Sequence, residues 1–383
     1  MRPLPSAFDP DERLLCGPGP SNVAPRVREA LQRPLVSHLD PDFPQVLDEL
    51  RALIAAAYRA ETGLALCLSA TGTSGMEAGL RSLVEPGDEV IVCVSGFFGE
   101  RIAALAHRAG AAVTVLRAEL GHAVSAEEVE QALRKSPGAR LVCVVHAETS
   151  TGVASPLAEI ARVVRERSDA LVFADCVTSL GGMPVEAEAW GLDYAYSCSQ
   201  KCLAAPPGLS PVVLSERARA RIRDRQVPAP FSYDFEELAA YWVSRPARYH
   251  HTVPVLGFYA LHEALRAVLE EGLERRWDRH EAVGRSFQRA LAADGLELLS
   301  APECTLPQLS AIRVPEGVEG GEVQRRLLRE HGIEVGGALG PGYPPIWRIG
   351  LMGVNAQLDV ATRVLGALEE VLHAEPRRVA AAS

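Results

Sequence analysis

Several features that mark other protein classes are scarce in this 383-residue sequence. No apolar run approaches the ~20 residues that a membrane-spanning helix requires. Positive charge is not clustered, and the formal net charge of −10 disfavours nucleic acid, whose phosphates need grouped Lys and Arg. The N-terminal residues include early acidic side chains and lack the apolar core of a secretory signal. We therefore expect neither a membrane nor a nucleic-acid partner.

The eight cysteines are scattered along the chain. Cys67, Cys93 and Cys143 lie inside short apolar runs, where a free thiol behaves as a small hydrophobic residue. Cys198 and Cys202 could form a metal-binding pair, but no second group of Cys or His accompanies them, so we expect no metal. Free thiols indicate a reducing compartment, and the C-terminus is not a Ser-Lys-Leu peroxisomal signal. We expect a cytoplasmic protein.

Short apolar runs alternate with longer helical patterns over the first two thirds of the chain. Nearly continuous hydrophobicity within these runs is typical of strands covered on both faces, as in a mostly parallel sheet with crossover helices. The predicted strands are 64–69, 89–94, 112–116, 140–145, 170–174, 192–197 and 211–214. The pattern predicts an α/β fold with a seven-stranded sheet.

The pattern changes after residue 214. A long amphipathic helix is predicted from Val255 towards Ala293, with a break near Gly272. Further strands are expected at 297–299, 308–314, 333–336 and 347–351, helices at 321–331 and 357–372, and a frayed tail after Ala374. We therefore predict an N-terminal arm (1–15), a large domain (16–271) and a smaller α+β C-terminal domain (272–383).

The chemistry of one lysine and one aspartate is the strongest functional signal. Lys201 follows the segment YSCSQ at 196–200, and Asp175 ends the apolar run ALVFA at 170–174. A lysine can form a Schiff base with the aldehyde of pyridoxal phosphate, and a carboxylate can keep the pyridine nitrogen of that cofactor protonated. Taken singly, most lysines are surface charges, and aspartates at strand ends often cap turns.

Several longer stretches together carry a family resemblance. They are LCGPGPSN at 15–22, HAETSTGV at 146–153, DCVTSLGG at 175–182, SCSQK at 197–201, RYHHT at 248–252 and RIGLMG at 348–353. With these motifs the chain resembles the alanine–glyoxylate and serine–pyruvate aminotransferases, the class V branch of the fold type I pyridoxal phosphate enzymes. The resemblance covers nearly the whole chain and implies that fold.

A glycine-containing turn offers a place for the cofactor phosphate. The segment ATGTSGMEA at 70–78 follows a predicted strand and opens a helix, whose amino end attracts anions. Its spacing is not that of a dinucleotide-binding fingerprint. The resemblance implies that Thr71, Gly72 and Thr73 bind the phosphate. It also implies that Tyr249 and Thr252 reach the same site from a second subunit, which makes the protein a homodimer.

The resemblance assigns the remaining cofactor contacts as well. Asp175 pairs with the pyridine nitrogen, Val177 packs on one face of the ring and Thr149 contacts the ring hydroxyl. Gln200 contributes a hydrogen bond to the phosphate or to the ring. Phe98 stands where these aminotransferases usually have a tryptophan stacked on the ring, so the chain departs from the family pattern here.

Substrate binding is assigned to Arg348 and Gly19. A guanidinium can hold an α-carboxylate through two parallel hydrogen bonds, and Arg348 lies in the motif that matches the carboxylate-binding strand of the family. Gly19, in the rigid segment 17–20, is expected to line the pocket. The implied reaction is a ping-pong transfer from a small amino acid, alanine or serine, to a small 2-oxo acid, glyoxylate or pyruvate.

Other functions remain open from sequence alone. Ureidoglycine–glyoxylate aminotransferase is a close variant. A cysteine desulfurase of the same fold would need a reactive thiol on a mobile loop, for which Cys304 and Cys202 are the later candidates. A catalytically silent binding protein is a third hypothesis, against which the set Lys201, Asp175 and Arg348 argues.

Overall fold

The computed structural model describes residues 4–340 and 342–373. The tail predicted to fray after Ala374 lies outside the described residues. Within the described residues, no helix combines the length and the apolar character needed to cross a membrane.

Thirteen strands and thirteen α-helices are present in the described ranges. The strands are Leu14–Leu15 (β1), Leu64–Leu68 (β2), Glu89–Val94 (β3), Ala112–Arg117 (β4), Leu141–Val145 (β5), Ala147–Glu148 (β6), Val153–Ala154 (β7), Leu171–Asp175 (β8), Tyr194–Tyr196 (β9), Ser210–Leu214 (β10), Leu309–Arg313 (β11), Ile333–Glu334 (β12) and Ile346–Gly350 (β13). The helices are Pro25–Ala30 (α1), Phe43–Tyr58 (α2), Gly72–Leu83 (α3), Phe97–Arg108 (α4), Ala126–Lys135 (α5), Leu157–Arg167 (α6), Ala187–Trp190 (α7), Glu216–Arg223 (α8), Phe235–Trp242 (α9), Val255–Glu271 (α10), Leu273–Ala293 (α11), Gly320–His331 (α12) and Leu358–His373 (α13).

The seven strands predicted in the first part of the chain form one sheet, in the order β2-β10-β9-β8-β5-β3-β4. β10 runs antiparallel to both of its neighbours, and the other neighbouring pairs are parallel. Every residue of β2, β5 and β8 is buried, as a sheet covered on both faces requires. The prediction of a mostly parallel seven-stranded sheet is confirmed.

A second hydrophobic core lies in the C-terminal part of the chain. It packs α11, α12 and α13 against the antiparallel pair β11 and β13, around Phe287, Ile312 and Trp347. The N-terminal strand β1 pairs in parallel with β12, and Cys16 is buried in this second core. The domain boundaries at residues 15 and 271 stay predictions.

One predicted strand of this region differs from the structure. Of the segment 297–299, only Leu298 forms a bridge, with Ile312, because the chain bends at the next two residues. The predicted break in the long helix does occur at Gly272. The φ of Gly272 is +86°, in the region that favours glycine, and this separates α10 from α11.

Two buried basic residues of α11 join this helix to loops of both cores. Arg276 donates to the carbonyl of Cys202 at 2.6 Å and forms an ion pair with Glu271 at 2.5 Å. The Nδ1 atom of His280 contacts the Arg276 carbonyl at 2.8 Å, and its Nε2 atom accepts from the amide of Gly353 at 3.0 Å. This pair of bonds requires a neutral imidazole, with its proton on Nδ1. Burial and the charge of Arg276 lower the pKa of His280 to about 3.

We predict that His280 makes the protein acid-sensitive. Because the pKa of His280 is below the ~6.5 of an unfolded histidine, stability is lost as the pH falls from about 6.5 towards 3. His280→Asn should be less stable at pH 7, and this deficit should shrink by about 2 kcal/mol at pH 5. Chemical unfolding of the cofactor-free proteins measures both values. His107→Asn, at an exposed site, is the control, and a deficit independent of pH would contradict the prediction.

Candidate active site

The carboxyl ends of β2, β3, β5, β8 and β9 meet at one edge of the sheet, where open α/β sheets bind ligands. A cavity of about 210 Å³ lies at this edge. Nine residues that the sequence assigned to the site line it: Thr71, Gly72, Thr73, Phe98, Thr149, Asp175, Val177, Gln200 and Lys201. The lining is completed by residues that sequence reasoning missed, among them Arg101 and Tyr196.

One end of the cavity is formed by the amino end of α3. The hydroxyl of Thr71 caps this helix by accepting from the amide of Ser74 at 3.3 Å. Gly72 and Thr73 begin the helix, where backbone amides and the helix dipole favour an anion. The Oε1 atom of Gln200 is buried and has no hydrogen-bond partner in the described part of the chain. The backbone amides at this end can therefore bind an anion, whereas the Gln200 oxygen can only accept a hydrogen bond from a donor.

The amine of Lys201 is enclosed between the sheet edge and the N-terminal segment. Its Nζ atom donates to the carbonyl of Pro18. Burial lowers the pKa of Lys201, and the nearby charge of Arg348 lowers it further. Gly19 lies so close to the same side chain that a Cβ atom at this position would overlap Lys201. A larger residue at position 19 would displace the amine.

Asp175 lies at the end of β8, with 4% of its surface exposed. One carboxylate oxygen accepts from the amide of Val177 at 2.9 Å, and the other accepts from the hydroxyl of Tyr196. Burial raises the pKa of Asp175 to about 6, although the Tyr196 bond opposes this change. Tyr196 is directly opposite Asp175 in the pairing of β8 with β9. A tyrosine that ends a buried strand beside the aspartate strand was the available sequence signal.

Glu148 is a second polar residue that the sequence reasoning did not assign. It is fully buried and accepts from the amides of Phe98 at 2.9 Å and Gly99 at 3.2 Å. It also accepts from the hydroxyl of Ser150 at 2.6 Å. Burial raises the pKa of Glu148, although these donors oppose the rise. Because Phe98 and Gly99 lie in the first turn of α4, Glu148 holds the backbone that carries the Phe98 ring.

Arg348 lies beside the cavity, and 6% of its surface is exposed. Its Nε atom donates to Gly337 at 2.6 Å, and its Nη1 atom contacts the carbonyl of Thr149 at 3.4 Å. Burial lowers the pKa of Arg348, an effect that Glu148 partly offsets. In the described ranges no carboxylate lies within ion-pair distance of this guanidinium. A buried cation of this kind needs an anionic partner.

Tyr249 and Thr252 do not line the cavity of their own chain. Tyr249 is 59% exposed, with its ring 5.6 Å from that of His38. Thr252 lies in a shallow surface groove beside Leu35 and Val36. Their assignment to the active site of a second subunit stays a prediction.

The two thiols considered for desulfuration, Cys304 and Cys202, both donate hydrogen bonds to backbone carbonyls and have raised pKa values. Cys304 is outside the cavity lining and donates to the carbonyl of Gly121 at 3.3 Å. Cys202 is buried and donates to the carbonyl of Thr178 at 3.2 Å. Burial raises the pKa of both thiols, which disfavours the thiolate needed for attack.

The donor set fits pyridoxal phosphate. The amino end of α3 can receive a phosphate, Lys201 offers an amine with a lowered pKa, and the unpartnered buried oxygen of Gln200 can accept a hydrogen bond from a ligand. Asp175 is a buried carboxylate in the same cavity lining, with its own hydrogen-bond partners. The fold and this site define a fold type I pyridoxal phosphate enzyme.

Comparisons with known proteins agree with that class. Residues 25–342 match the family Aminotransferase class-V. The alanine–glyoxylate aminotransferase of Oryctolagus cuniculus is 37% identical over 364 residues, which cover 94% of this chain and 92% of that protein. The crystal structure of alanine–glyoxylate aminotransferase from Nostoc sp. superposes with a TM-score of 0.93 and 42% identity, over 97% of this chain and 98% of the other.

A relative with a different named donor is also similar. The structure of ureidoglycine–glyoxylate aminotransferase from Bacillus subtilis has a TM-score of 0.93 and 34% identity, over 98% of this chain and 97% of that chain. The chain belongs to the class-V aminotransferase family and is a pyridoxal phosphate-dependent transaminase.

We predict that the Tyr196 hydroxyl stabilises the ionised form of Asp175. Tyr196→Phe should therefore lower the free energy of unfolding by about 1 kcal/mol more at pH 8, where Asp175 is charged, than at pH 5, where Asp175 is protonated. Chemical unfolding of the cofactor-free protein measures this difference. Tyr194→Phe is the matched control, since Tyr194 donates to the neutral carbonyl of Gly75 at 2.7 Å. Equal pH dependence in the two variants would rule out this role.

Proposed function

We propose that this aminotransferase moves an amino group from a small amino acid, alanine or serine, to a small 2-oxo acid, glyoxylate or pyruvate. The observation that carries the proposal is the buried Arg348, which has no carboxylate partner in the described residues and contacts Thr149 at the cavity. An α-carboxylate is common to all these substrates. The similarity to the alanine–glyoxylate aminotransferases named above supports the choice of donor and acceptor.

The proposed cofactor contacts are those assigned from sequence. Thr71, Gly72 and Thr73 would hold the phosphate, Gln200 the phosphate or the ring, and Asp175 the pyridine nitrogen. The ring would lie between Phe98 and Val177, with Thr149 at its hydroxyl. When bound, pyridoxal phosphate supplies an aldehyde that links to amines and a ring that accepts the electron pair left when the Cα–H bond breaks.

Lys201 is proposed to move the proton. A neutral amine can accept the Cα proton of the substrate, and the burial that lowers the pKa of Lys201 increases the neutral fraction at a given pH. Arg348 would hold the substrate carboxylate and so orient the Cα–H bond. The same amine would deliver that proton to the former aldehyde carbon of the cofactor, and it would move a proton from that carbon to Cα when the second substrate is converted.

The surroundings of Lys201 support a small substrate side chain. Pro18 and Gly19 lie directly against the lysine, and the rigid segment leaves little space on that side. Ureidoglycine as donor is the second candidate, supported by the 34% identity to the Bacillus subtilis aminotransferase. A difference of one side-chain group in such a pocket changes substrate preference by only ~1–3 kcal/mol.

We also propose a homodimer with shared active sites. Tyr249, Leu35 and Leu39 are exposed by 59%, 71% and 67%, an apolar surface that a second copy of the chain could cover. The proposed phosphate ligands Tyr249 and Thr252 belong to this region and are absent from the cavity lining of their own chain. A partner copy would then complete each site.

The remaining assignments concern domains and compartment. We propose an arm over residues 1–15, a large domain over 16–271 and a small domain over 272–383, supported by the two separate hydrophobic cores. A cytoplasmic location is supported by the eight cysteines, all of which are free thiols.

We predict that the purified protein has a visible absorption band from bound cofactor and that borohydride reduction attaches the cofactor to Lys201. Lys201→Ala should lose the attachment, because no other amine lines the cavity in the described residues. Adding alanine, serine, glycine, aspartate, cysteine and ureidoglycine in turn should change the wild-type spectrum, with alanine or serine most effective. An unchanged attachment in Lys201→Ala, or a response to cysteine with release of sulfide, would overturn the assignment.

Mixing two inactive variants tests the shared site. Lys201→Ala lacks the reactive amine, and the double variant Tyr249→Phe, Thr252→Val lacks the proposed partner ligands. In a mixed dimer, one site keeps all three residues, so random mixing should restore up to about a quarter of the wild-type activity. Sedimentation should show a dimer throughout. If all three residues act within one chain, mixing restores nothing.

A further inference from the structure

Arg101 lines the cavity but has no role in the function proposed above. It lies in the first part of α4, one turn after Phe98. Lys201 is the other basic residue in the described lining, and its amine is the reactive group. Arg101 is therefore the positive charge of the described cavity wall that the proposed reaction does not use.

The contacts of Arg101 direct its charge to one end of the cavity. Its guanidinium carbon lies 4.9 Å from the ring centre of Phe97 and 5.2 Å from that of Phe98. Its Nη1 atom lies 3.4 Å from the hydroxyl of Thr73. Thr73 belongs to the first turn of α3, so the guanidinium stands beside the amides at the amino end of this helix.

The charge of Arg101 is not compensated by the described residues. No carboxylate in those ranges lies within ion-pair distance of it, and the long contact to Thr73 uses one of its five N–H donors. Glu100, its neighbour in sequence, instead pairs with Arg117 at 2.7 Å. The aromatic rings hold the side chain in place without neutralising it.

We propose that Arg101 binds the phosphate group of the cofactor, as the charged complement to the amides and hydroxyls at the amino end of α3. The inference rests on the proposed function and adds a residue to its site. A phosphate dianion bound in a protein with a net charge of −10 needs a local positive charge. A guanidinium provides this charge together with directed donors, which are well suited to phosphate oxygens.

The test compares pyridoxamine phosphate with pyridoxamine, two probes that lack the aldehyde and do not link to Lys201. Equilibrium binding to the cofactor-free full-length protein is measured for wild type, Arg101→Gln and Arg101→Lys. Arg101→Gln should weaken the binding of pyridoxamine phosphate about tenfold or more and leave the binding of pyridoxamine nearly unchanged. Arg101→Lys, which keeps the charge, should retain most of the preference for the phosphorylated probe.

Arg108→Gln is the matched control, since Arg108 is an exposed arginine near the end of the same helix. It should bind both probes as the wild type does. Raising the salt concentration should reduce the preference for the phosphorylated probe more in the wild type than in Arg101→Gln.

Three outcomes would contradict the inference. Equal weakening of both probes by Arg101→Gln would mean that Arg101 acts only through the Phe98 ring. Unchanged binding of both probes would mean that it does not contact the ligand. If the wild type binds neither probe, the proposed cofactor site itself fails, and the inference fails with it. Thermal unfolding of each variant identifies any loss of folding. If Arg101→Gln does not fold, the binding of the two probes by Arg101→Lys and by the wild type is compared instead.

Discussion

The burial of the Lys201 amine imposes most of the other features of the site. An ammonium group enclosed by protein loses hydration, so burial favours its neutral form and lowers its pKa. The amine is held at the carboxyl edge of a sheet whose strands are themselves buried on both faces. Polar groups of the loops at that edge then become the immediate surroundings of the amine. The sheet thus supports a buried lysine whose pKa is lowered.

Two buried carboxylates of this region, Asp175 and Glu148, are held by different donors. Asp175 is held by a backbone amide and a tyrosine hydroxyl, whereas Glu148 is held by the first turn of a helix and by Ser150. Burial raises the pKa of both, and the donors oppose that rise. Asp175 thereby faces the cavity as a titratable group, while Glu148 fixes the position of Phe98. The carboxylate of Asp175 thus contributes charge to the cavity, whereas the carboxylate of Glu148 positions a helix.

The elements and the central residues of the site could be predicted from sequence, because they depend on local patterns. Buried strands have continuous apolar runs, and Lys201 and Asp175 lie in recognisable segments. Arg101 and Glu148 could not be assigned, because each acts through a contact with a distant segment of the chain, whereas the only sequence signal of Tyr196 was its place at the end of a buried strand. The strand predicted at 297–299 is reduced to a single bridge at Leu298. The bend that follows Leu298 has no distinct pattern in the sequence, so it was not predicted.

The pairing of β1 with β12 connects the N-terminal segment to the strand that carries Arg348. Cys16 accepts from the amide of Gly350, and Gly336 bridges with Arg348, so this backbone forms one hydrogen-bonded unit. Pro18, which contacts the Lys201 amine, follows two residues after Cys16. A tilt of this unit away from the sheet would therefore uncover the lysine and withdraw the guanidinium at the same time. The positions of the amine contact and of the guanidinium therefore depend on one hydrogen-bonded backbone unit.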